Sequence, residues 1–197
     1  MERPEIGQAL RRNEDIRFLT GKGTFIDDLS MEGQTHAAVL RSPHPHARIK
    51  GIDGTEALAL PGVLLVVTGE DWKREGFGPI PTKSAVRKNR DGSDFSEPPR
   101  HCLAMDRVRH VGEAVALVVA ESAILATEAL DLIVVDFEPL PTVTDPVKAL
   151  EDSAPQLWDD SPGNLCIDFE LGDEVAVQAA FEKADHIITI DIVNNRV

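Results

Sequence analysis

A strand–helix–strand pattern in the second half of the chain is the strongest structural signal in the sequence. Gly112 to Ala120 (GEAVALVVA) is a nearly continuous apolar run rich in valine, which predicts a strand buried on both faces. Ser122 follows as a candidate N-cap, and Ile124 to Leu132 has helical periodicity. Ile133 to Phe137 (IVVDF) predicts a second strand, which the following prolines end. The whole pattern, about 35 residues long, has the size of one βαβ unit.

The predicted helix has one apolar side. On a helical wheel, polar Thr127, Glu128 and Asp131 lie opposite a broad apolar arc, which predicts that the arc packs against a sheet. That arc contains Leu125, Ala126, Ala129, Leu130, Leu132 and Ile133.

Further strands and helices are predicted on both sides of this unit. In chain order they are strand His36–Arg41, a proline-rich turn Ser42–His46, strand Ala47–Asp53, helix Thr55–Leu60, buried strand Val63–Val67, a turn or helix at Thr68–Trp72, amphipathic helix Glu174–Ala184 and strand His186–Val193. The elements up to residue 138 predict one mixed sheet with packed helices, an α+β fold.

Two long segments lack this periodicity. Residues 73–100 contain several prolines and glycines and predict a long loop, called the basic loop below. Residues 72–100 carry seven Lys or Arg and only four acids, so this part of the chain is locally basic. A docking surface and a mobile flap stay open beside the favoured interpretation of a solvated loop. Residues 142–171 are also loop-like, with three prolines and two acidic pairs.

The overall charge limits the classes of partner. The chain has 197 residues and a formal net charge of −14, so it lacks the basic character that nucleic-acid binding requires. Its hydrophobic content of 42% is enough for a folded core. The N-terminus resembles no signal peptide, and the longest apolar run is far shorter than the ~20 residues of a membrane span. We therefore expect a soluble, cytoplasmic protein without nucleic-acid partners.

A few side chains are candidates for chemistry, and each has a simpler structural interpretation. Cys102 and Cys166 form no C-x-x-C motif, which argues against a zinc or iron–sulfur site; a disulfide stays open beside the favoured pair of reduced thiols. His44 and His46 could chelate a metal, but no clear third ligand lies nearby in the sequence. We therefore favour the interpretation that both histidines lie in a surface turn. The turn Gly21-Lys22-Gly23 lacks the rest of a phosphate-binding loop.

Glu113 is the one acid inside an apolar run. A buried carboxylate must be paired or hydrogen-bonded, or its pKa rises, which is a signature of catalytic acids. The favoured alternative places Glu113 at the solvent end of the strand, near His110. The sequence contains none of the motifs G-x-S-x-G, H-E-x-x-H and G-x-G-x-x-G.

Five stretches, in order, resemble one enzyme family. Arg17 to Asp28 (RFLTGKGTFIDD), Arg41 to Ile49 (RSPHPHARI), Ala59 to Val63 (ALPGV), Val111 to Ala116 (VGEAVA) and Val135 to Pro141 (VDFEPLP) are similar to successive motifs of that family. It is the large, molybdenum-binding subunit family of xanthine dehydrogenase, aldehyde oxidase and carbon monoxide dehydrogenase. The resemblance covers roughly residues 5–197 and implies an N-terminal α/β-hammerhead domain.

The residue patterns and the resemblance together predict four regions, and the resemblance implies a set of partners. They are an N-terminal arm (1–20), which lies on another surface or is frayed, an α/β-hammerhead domain (21–145), a linker (146–171) and the start of an incomplete molybdenum-binding domain (172–197). Complete relatives oxidise aldehydes, N-heterocycles or carbon monoxide with molybdenum on molybdopterin, and pass electrons through [2Fe–2S] clusters to FAD. The implied partners are the molybdenum-binding domain and the iron–sulfur and FAD subunits.

No site residue can be transferred from the family to this chain. The glycine-rich cofactor loops and the catalytic glutamate of the family have no matching positions here, so no catalytic, cofactor-binding or metal-binding residue is expected. Ser42–Arg48 and Val111–Ala114 are candidates for interface surface. Two interpretations remain: a non-catalytic structural and subunit-docking portion of a molybdenum hydroxylase, or a stand-alone, non-enzymatic interaction or assembly protein derived from that domain. An apolar surface patch, which the missing domain would cover, would favour the first.

Overall fold

The computed structural model describes residues 7, 11–82 and 88–192. Its helices are α1 (Asp15–Leu19), α2 (Thr55–Ala59), α3 (Gly69–Arg74), α4 (Ala123–Leu130) and α5 (Glu174–Glu182). Its strands are β1 (His36–Arg41), β2 (Ala47–Asp53), β3 (Val63–Thr68), β4 (Arg107–Val108), β5 (Ala114–Ala120) and β6 (Val134–Pro139). The predicted order of elements from residue 36 to 72 is confirmed, with the bounds of β1 and β2 as expected.

The strands form two small antiparallel sheets. In the first sheet, β5 lies between β1 and β3, so that Val118 is opposite both Ala38 and Val66. In the second, β2 lies between β4 and β6, with Ile52 opposite Val135. The α+β class is therefore confirmed, whereas the single mixed sheet is wrong.

The predicted βαβ unit divides between these two sheets. The strand, the helix capped by Ser122 and the second strand all form, but β5 belongs to the first sheet and β6 to the second. Both edges of β5 are already paired, with β1 and β3. After α4 the chain therefore crosses to β2 and pairs there in antiparallel orientation.

Small side chains hold α4 close to the first sheet. Ala126 and Ala129 on the helix and Ala116 and Val118 on β5 are fully buried in one apolar cluster. This confirms the predicted apolar arc, whose larger leucines pack around the edge of the cluster. On the other face of β5, Val115 belongs to a second cluster with residues of β2 and β4. The central strand is thus buried on both faces, as its continuous apolar run predicts.

The strand β3 is less buried than predicted. Within the described residues it is an edge strand that pairs with β5 alone, and Leu64 and Leu65 are about half exposed, at 50% and 49%. Just after β3, the backbone of Gly69 lies close to the backbone of Ala104. A Cβ at position 69 would be only 2.2 Å from the Ala104 carbonyl oxygen, so this contact requires glycine.

The two ends of the described chain pack least. The predicted strand at 186–192 is wrong, because these residues pair with no strand in the described part of the chain; Val193 lies outside it. The helix α5 forms as predicted, but its apolar side is not buried. In the N-terminal arm, α1 has no buried residue, and residues 1–6 and 8–10 lie outside the described residues.

Candidate functional site

Two arginines at the short strand β4 bind the linker, residues 146–171. The guanidinium of Arg107 donates to both carboxylate oxygens of Asp159, at 3.3 Å each, and to Asp106 at 3.0 Å. Such bidentate pairing fixes the angle between the two groups as well as their distance. The linker is therefore held to the second sheet by a geometrically specific contact.

Arg109 makes the second of these contacts. Its guanidinium carbon lies 3.6 Å from the centroid of the Trp158 ring, and its Nε donates to the carbonyl oxygen of Leu157 at 3.0 Å. The same side chain forms an ion pair with Asp106 at 3.5 Å and is only 13% exposed. A partly desolvated cation–π contact of this kind stabilises by up to about 2 kcal/mol.

The charges of this cluster support one another. Burial raises the pKa of the Asp106 carboxyl, but the hydrogen bond from Arg107 and the charge of Arg109 outweigh it and lower that pKa below its ordinary value. Burial lowers the pKa of Arg109, against the opposing effect of Asp106. Both groups stay charged at neutral pH, so the ion pair persists there.

Asn164 organises the linker from within. Its side chain accepts from the Leu157 N–H at 2.9 Å and donates to the carbonyl oxygens of Ala149 and Pro155 at 3.0 and 3.1 Å. Its backbone φ of 57° lies in the left-handed region, which asparagine tolerates better than most residues. One residue therefore ties three separated points of the linker together.

The basic loop covers the other side of the linker. The backbone N–H of Arg90 donates to the Asp168 carbonyl at 2.7 Å, and that of Ser96 donates to the Cys166 carbonyl at 3.1 Å. The Asp168 N–H in turn donates to the Asn89 side chain at 2.9 Å. Residues 89–96 therefore hydrogen-bond to the linker of the same chain, while residues 90–94 stay exposed to solvent; residues 83–87 lie outside the described structure.

The two candidate interface segments lie side by side. The Ser42 N–H donates to the Glu113 carbonyl and the Gly112 N–H to the Ser42 carbonyl, at 2.8 Å each. Arg41 adds a side-chain bond to the Gly112 carbonyl at 2.8 Å. Ser42 itself is buried, whereas Val111 is 63% exposed. Of these segments, Val111 therefore offers apolar surface to a partner.

The two turn histidines contact different groups. His46 is only 4% exposed, and its Nδ1 lies 2.7 Å from the Pro141 carbonyl oxygen, so the Nδ1–H donates there. His44 packs edge-on against Phe137, with ring centroids 5.0 Å apart. The prediction of surface histidines is wrong for His46, which ties the turn to the end of β6.

The remaining candidates have structural surroundings. Glu113 precedes β5, accepts from the Arg109 backbone N–H, and lies 3.6 Å from His110, as the favoured alternative predicted. Cys102 and Cys166 are free thiols. Among the described residues, no three His, Cys, Asp or Glu side chains converge to hold a metal ion.

The contacts that hold the linker had no motif in the sequence. Arg107 and Arg109 are spaced two apart, so both can lie on one face of a strand, but only the fold shows that Trp158 and Asp159 lie opposite them.

In the described part of the chain, no helix has the length and apolar character needed to cross a lipid bilayer.

These features define an α+β domain with a following segment that bonds back to it, and comparison with known proteins identifies its family. The family model for the "aldehyde oxidase and xanthine dehydrogenase, a/b hammerhead domain" matches residues 20–141. The chain belongs to this family, as the five sequence motifs predict. The fold, two antiparallel sheets with packed helices, is the hammerhead.

The relatives with curated names are much longer proteins. The carbon monoxide dehydrogenase large chain of Afipia carboxidovorans is 36% identical over 192 residues, which are 91% of this chain and 22% of that one. The nicotine 6-hydroxylase large subunit of Paenarthrobacter nicotinovorans is 39% identical, over 93% of this chain and 21% of that one. This chain therefore spans about a fifth of the length of these relatives.

The likeness extends to three dimensions. The structure of reconstituted carbon monoxide dehydrogenase from Oligotropha carboxidovorans superposes with a TM-score of 0.73 at 35% identity. The match covers 91% of this chain and 22% of that one. Because the hammerhead match ends at residue 141, coverage of this extent means that most of the C-terminal part of the chain shares in the similarity.

Proposed function

We propose that this chain is the N-terminal, non-catalytic portion of a molybdopterin-dependent hydroxylase or dehydrogenase large subunit, and that it serves as a structural and subunit-docking domain. The complete enzyme would oxidise an aldehyde, an N-heterocycle or carbon monoxide. Its molybdenum centre would lie in the molybdenum-binding domain, and its [2Fe–2S] clusters and FAD in partner subunits. The expected cytoplasmic location stays a prediction.

The exposed apolar side chains of the C-terminal segment, residues 172–192, carry this proposal. Ile188 and Ile190 are 86% and 73% exposed, and Val175 and Phe181 on α5 also face solvent. A chain rarely leaves such a run uncovered unless another polypeptide packs on it. These exposed apolar side chains favour a docking portion over a self-contained protein.

The arrangement of the linker supports the same role. Arg107 and Arg109 hold residues 157–159 against the hammerhead, and Asn164 ties this stretch to Ala149 and Pro155 within the linker. We propose the region boundaries 1–20, 21–145, 146–171 and 172–197 on this basis, with the last region belonging to the molybdenum-binding domain.

An antibody against this chain tests the proposal in extracts of the source cells. A band several times heavier than 21.5 kDa is expected, because the domain would be part of a complete subunit. Co-purification of molybdenum, iron and flavin with that band would identify the enzyme class. A single band at 21.5 kDa would instead support the stand-alone interaction or assembly protein.

Elemental analysis of the purified chain gives an independent check. We expect no stoichiometric molybdenum or iron and no flavin absorbance, since the residues that hold them would lie outside this chain. Stoichiometric metal that survives dialysis against a chelator would contradict the proposed location of the cofactors.

A further inference from the structure

The end of the linker is an extended segment whose two edges differ. Residues 165–171 (LCIDFEL) contain no turn or bend, and the first of them has extended backbone, with φ −93° and ψ 114°. In extended backbone, the N–H and C=O groups of alternate residues point to opposite edges. The backbone groups of Cys166 and Asp168 therefore lie on one edge of the segment, and those of the odd-numbered residues lie on the other.

The basic loop holds the first edge and leaves the second edge free. Its backbone N–H groups donate to the carbonyl oxygens of Cys166 and Asp168, at 3.1 and 2.7 Å. In the part of the chain that the structure describes, the backbone groups of Leu165, Ile167 and Phe169 have no hydrogen-bond partner. A segment that is fixed along one edge and open along the other can accept a further strand, and it loses little conformational entropy when it does so.

The side chains of this segment alternate as they do in a strand. Leu165, Ile167, Phe169 and Leu171 are exposed, whereas the two residues held by the basic loop are half-buried. One face of the segment thus presents four apolar side chains beside the free edge. When a strand is added to such an edge, backbone hydrogen bonds give affinity and alternate side chains give specificity.

The surroundings of the segment favour a partner of one charge. Residues 142–192 carry twelve Asp or Glu and only two Lys, a formal charge of −10. Within the described residues, ion pairs join three of these acids, Asp159, Asp168 and Glu170, to arginines outside this range, and the other nine have no basic partner. A second copy of the chain would bring the same negative charge and be repelled, whereas a basic segment would be attracted.

We propose that the free edge of residues 165–171 binds an extended, basic segment of a partner protein, in which apolar side chains alternate with Lys or Arg. The backbone of that segment pairs with Leu165, Ile167 and Phe169, and its apolar side chains pack on theirs. Its cations neutralise the surrounding carboxylates. This inference rests on the docking role proposed above and names the chemistry of one partner segment.

Two synthetic peptides with blocked ends test the inference. The probe is the alternating peptide KVKVKVK, and the matched ligand KKKKVVV has the same composition in block order. Isothermal titration of the full 197-residue chain should give a dissociation constant of about 1 mM or tighter for the alternating peptide. The block peptide should bind about tenfold more weakly, because its apolar side chains cannot all lie on one face. Raising the salt to about 0.5 M should weaken both, since it screens the charges.

Substitutions locate the binding site on the chain. Ile167→Pro removes an N–H from the free edge and should weaken binding of the alternating peptide by about tenfold. Phe169→Ser leaves the backbone intact and removes an apolar contact, so it should weaken binding by about fivefold. Ile124→Ser, at an exposed isoleucine on α4, is the control and should leave binding unchanged. Thermal unfolding checks that each variant is folded.

Equal binding of the two peptides, or unchanged binding in both Ile167→Pro and Phe169→Ser, would show unspecific charge attraction and overturn the inference. Absent peptide binding, together with self-association that Ile167→Pro abolishes, would make a second copy the occupant and also overturn it. Either result would leave the proposed large-subunit role standing. A single band at 21.5 kDa in cell extracts would instead contradict that role without altering the peptide result.

Discussion

At the scale of single residues, Arg109 decides how the linker is attached. It contacts the Trp158 ring, the Leu157 carbonyl and Asp106 from a position that is only 13% exposed. Lysine could not reproduce this, because its ammonium lacks the planar group that stacks on a ring while donating in several directions.

Replacing Arg109 should therefore release Trp158. We expect Arg109→Met to lower the free energy of unfolding by about 2 kcal/mol through the lost hydrogen bonds and cation–π contact. In a Trp72→Phe background, Trp158 is the single tryptophan, and its emission should shift to longer wavelength as the ring meets water. Arg48→Met, at an exposed arginine, is the matched control and should change neither quantity. An unshifted emission in the Arg109 variant would contradict the proposed contact.

Asp71 gives a prediction about pH. Hydrogen bonds from the Thr68 hydroxyl and N–H lower the pKa of Asp71 below its ordinary value, and Arg74 adds to this. A lowered native pKa stabilises the fold above the ordinary pKa of about 3.9, and this stabilisation is lost as the pH falls through the native value. Asp71→Asn should thus be less stable at pH 7, by roughly 1 kcal/mol.

Urea unfolding at a series of pH values checks this prediction. The original chain and Asp71→Asn should differ less in free energy of unfolding below about pH 4. In this range Asp71 of the original chain becomes protonated and loses its charge, as the variant already has. Asp136→Asn, at an exposed aspartate without a side-chain hydrogen bond in the described structure, is the control. If Asp71→Asn were less stable than the original chain by the same free energy at every pH, the effect of the substitution would be purely steric.

At the scale of elements, the linker behaves as part of the domain. Two 3-10 turns, at Lys148–Leu150 and Pro162–Asn164, give it local order, and the basic loop hydrogen-bonds along its far end. Its proline content and acidic pairs resemble those of a flexible connection, but the side chains of Asp159, Asn164 and Asp168 have specific partners. Order here comes from tertiary contacts and not from periodicity.

Two substitutions at Asn164 test whether tertiary contacts order the linker. Asn164→Gly keeps the left-handed backbone accessible and removes three side-chain hydrogen bonds, so it should cost about 2 kcal/mol. Asn164→Ala adds the cost of positive φ, and should be less stable than the glycine variant by about 1 kcal/mol. Thermal or urea unfolding measures both. If the glycine variant were as stable as the original chain, the side-chain network would not hold the linker.

At the scale of the whole molecule, sequence reasoning predicted what depends on local pattern. The strands β1 and β2, the helix capped by Ser122 and the family itself follow from alternation, capping and ordered motifs. The division into two sheets could not be predicted in the same way, because it depends on which strand edges are already paired. The contacts between Arg109 and the linker could not be predicted either, because Arg109 and Leu157 are 48 residues apart in the chain.

The exposed apolar segment predicts a property of the isolated chain. Because Ile188 and Ile190 are mostly exposed, the chain should bind a hydrophobic dye and self-associate as its concentration rises. The double variant Ile188→Ser with Ile190→Ser should reduce both effects and leave the unfolding midpoint unchanged. Ile124→Ser, on the exposed side of α4, is the control and should leave dye binding nearly unaltered. Sedimentation velocity and dye fluorescence measure the outcome; equal effects of the two variants would rule out a special role for the C-terminal segment.

The contact between the basic loop and the linker also sets an order of events during synthesis. Ser96 and Asp160 are 64 positions apart, and Asn89 and Asp168 are 79 apart, with both sheets completed by the residues between them. At about 5–20 residues per second, the ribosome leaves the basic loop without its partner for roughly 3 to 16 seconds. During that interval the nascent chain presents an unoccupied basic segment, which is when a chaperone could most readily bind it.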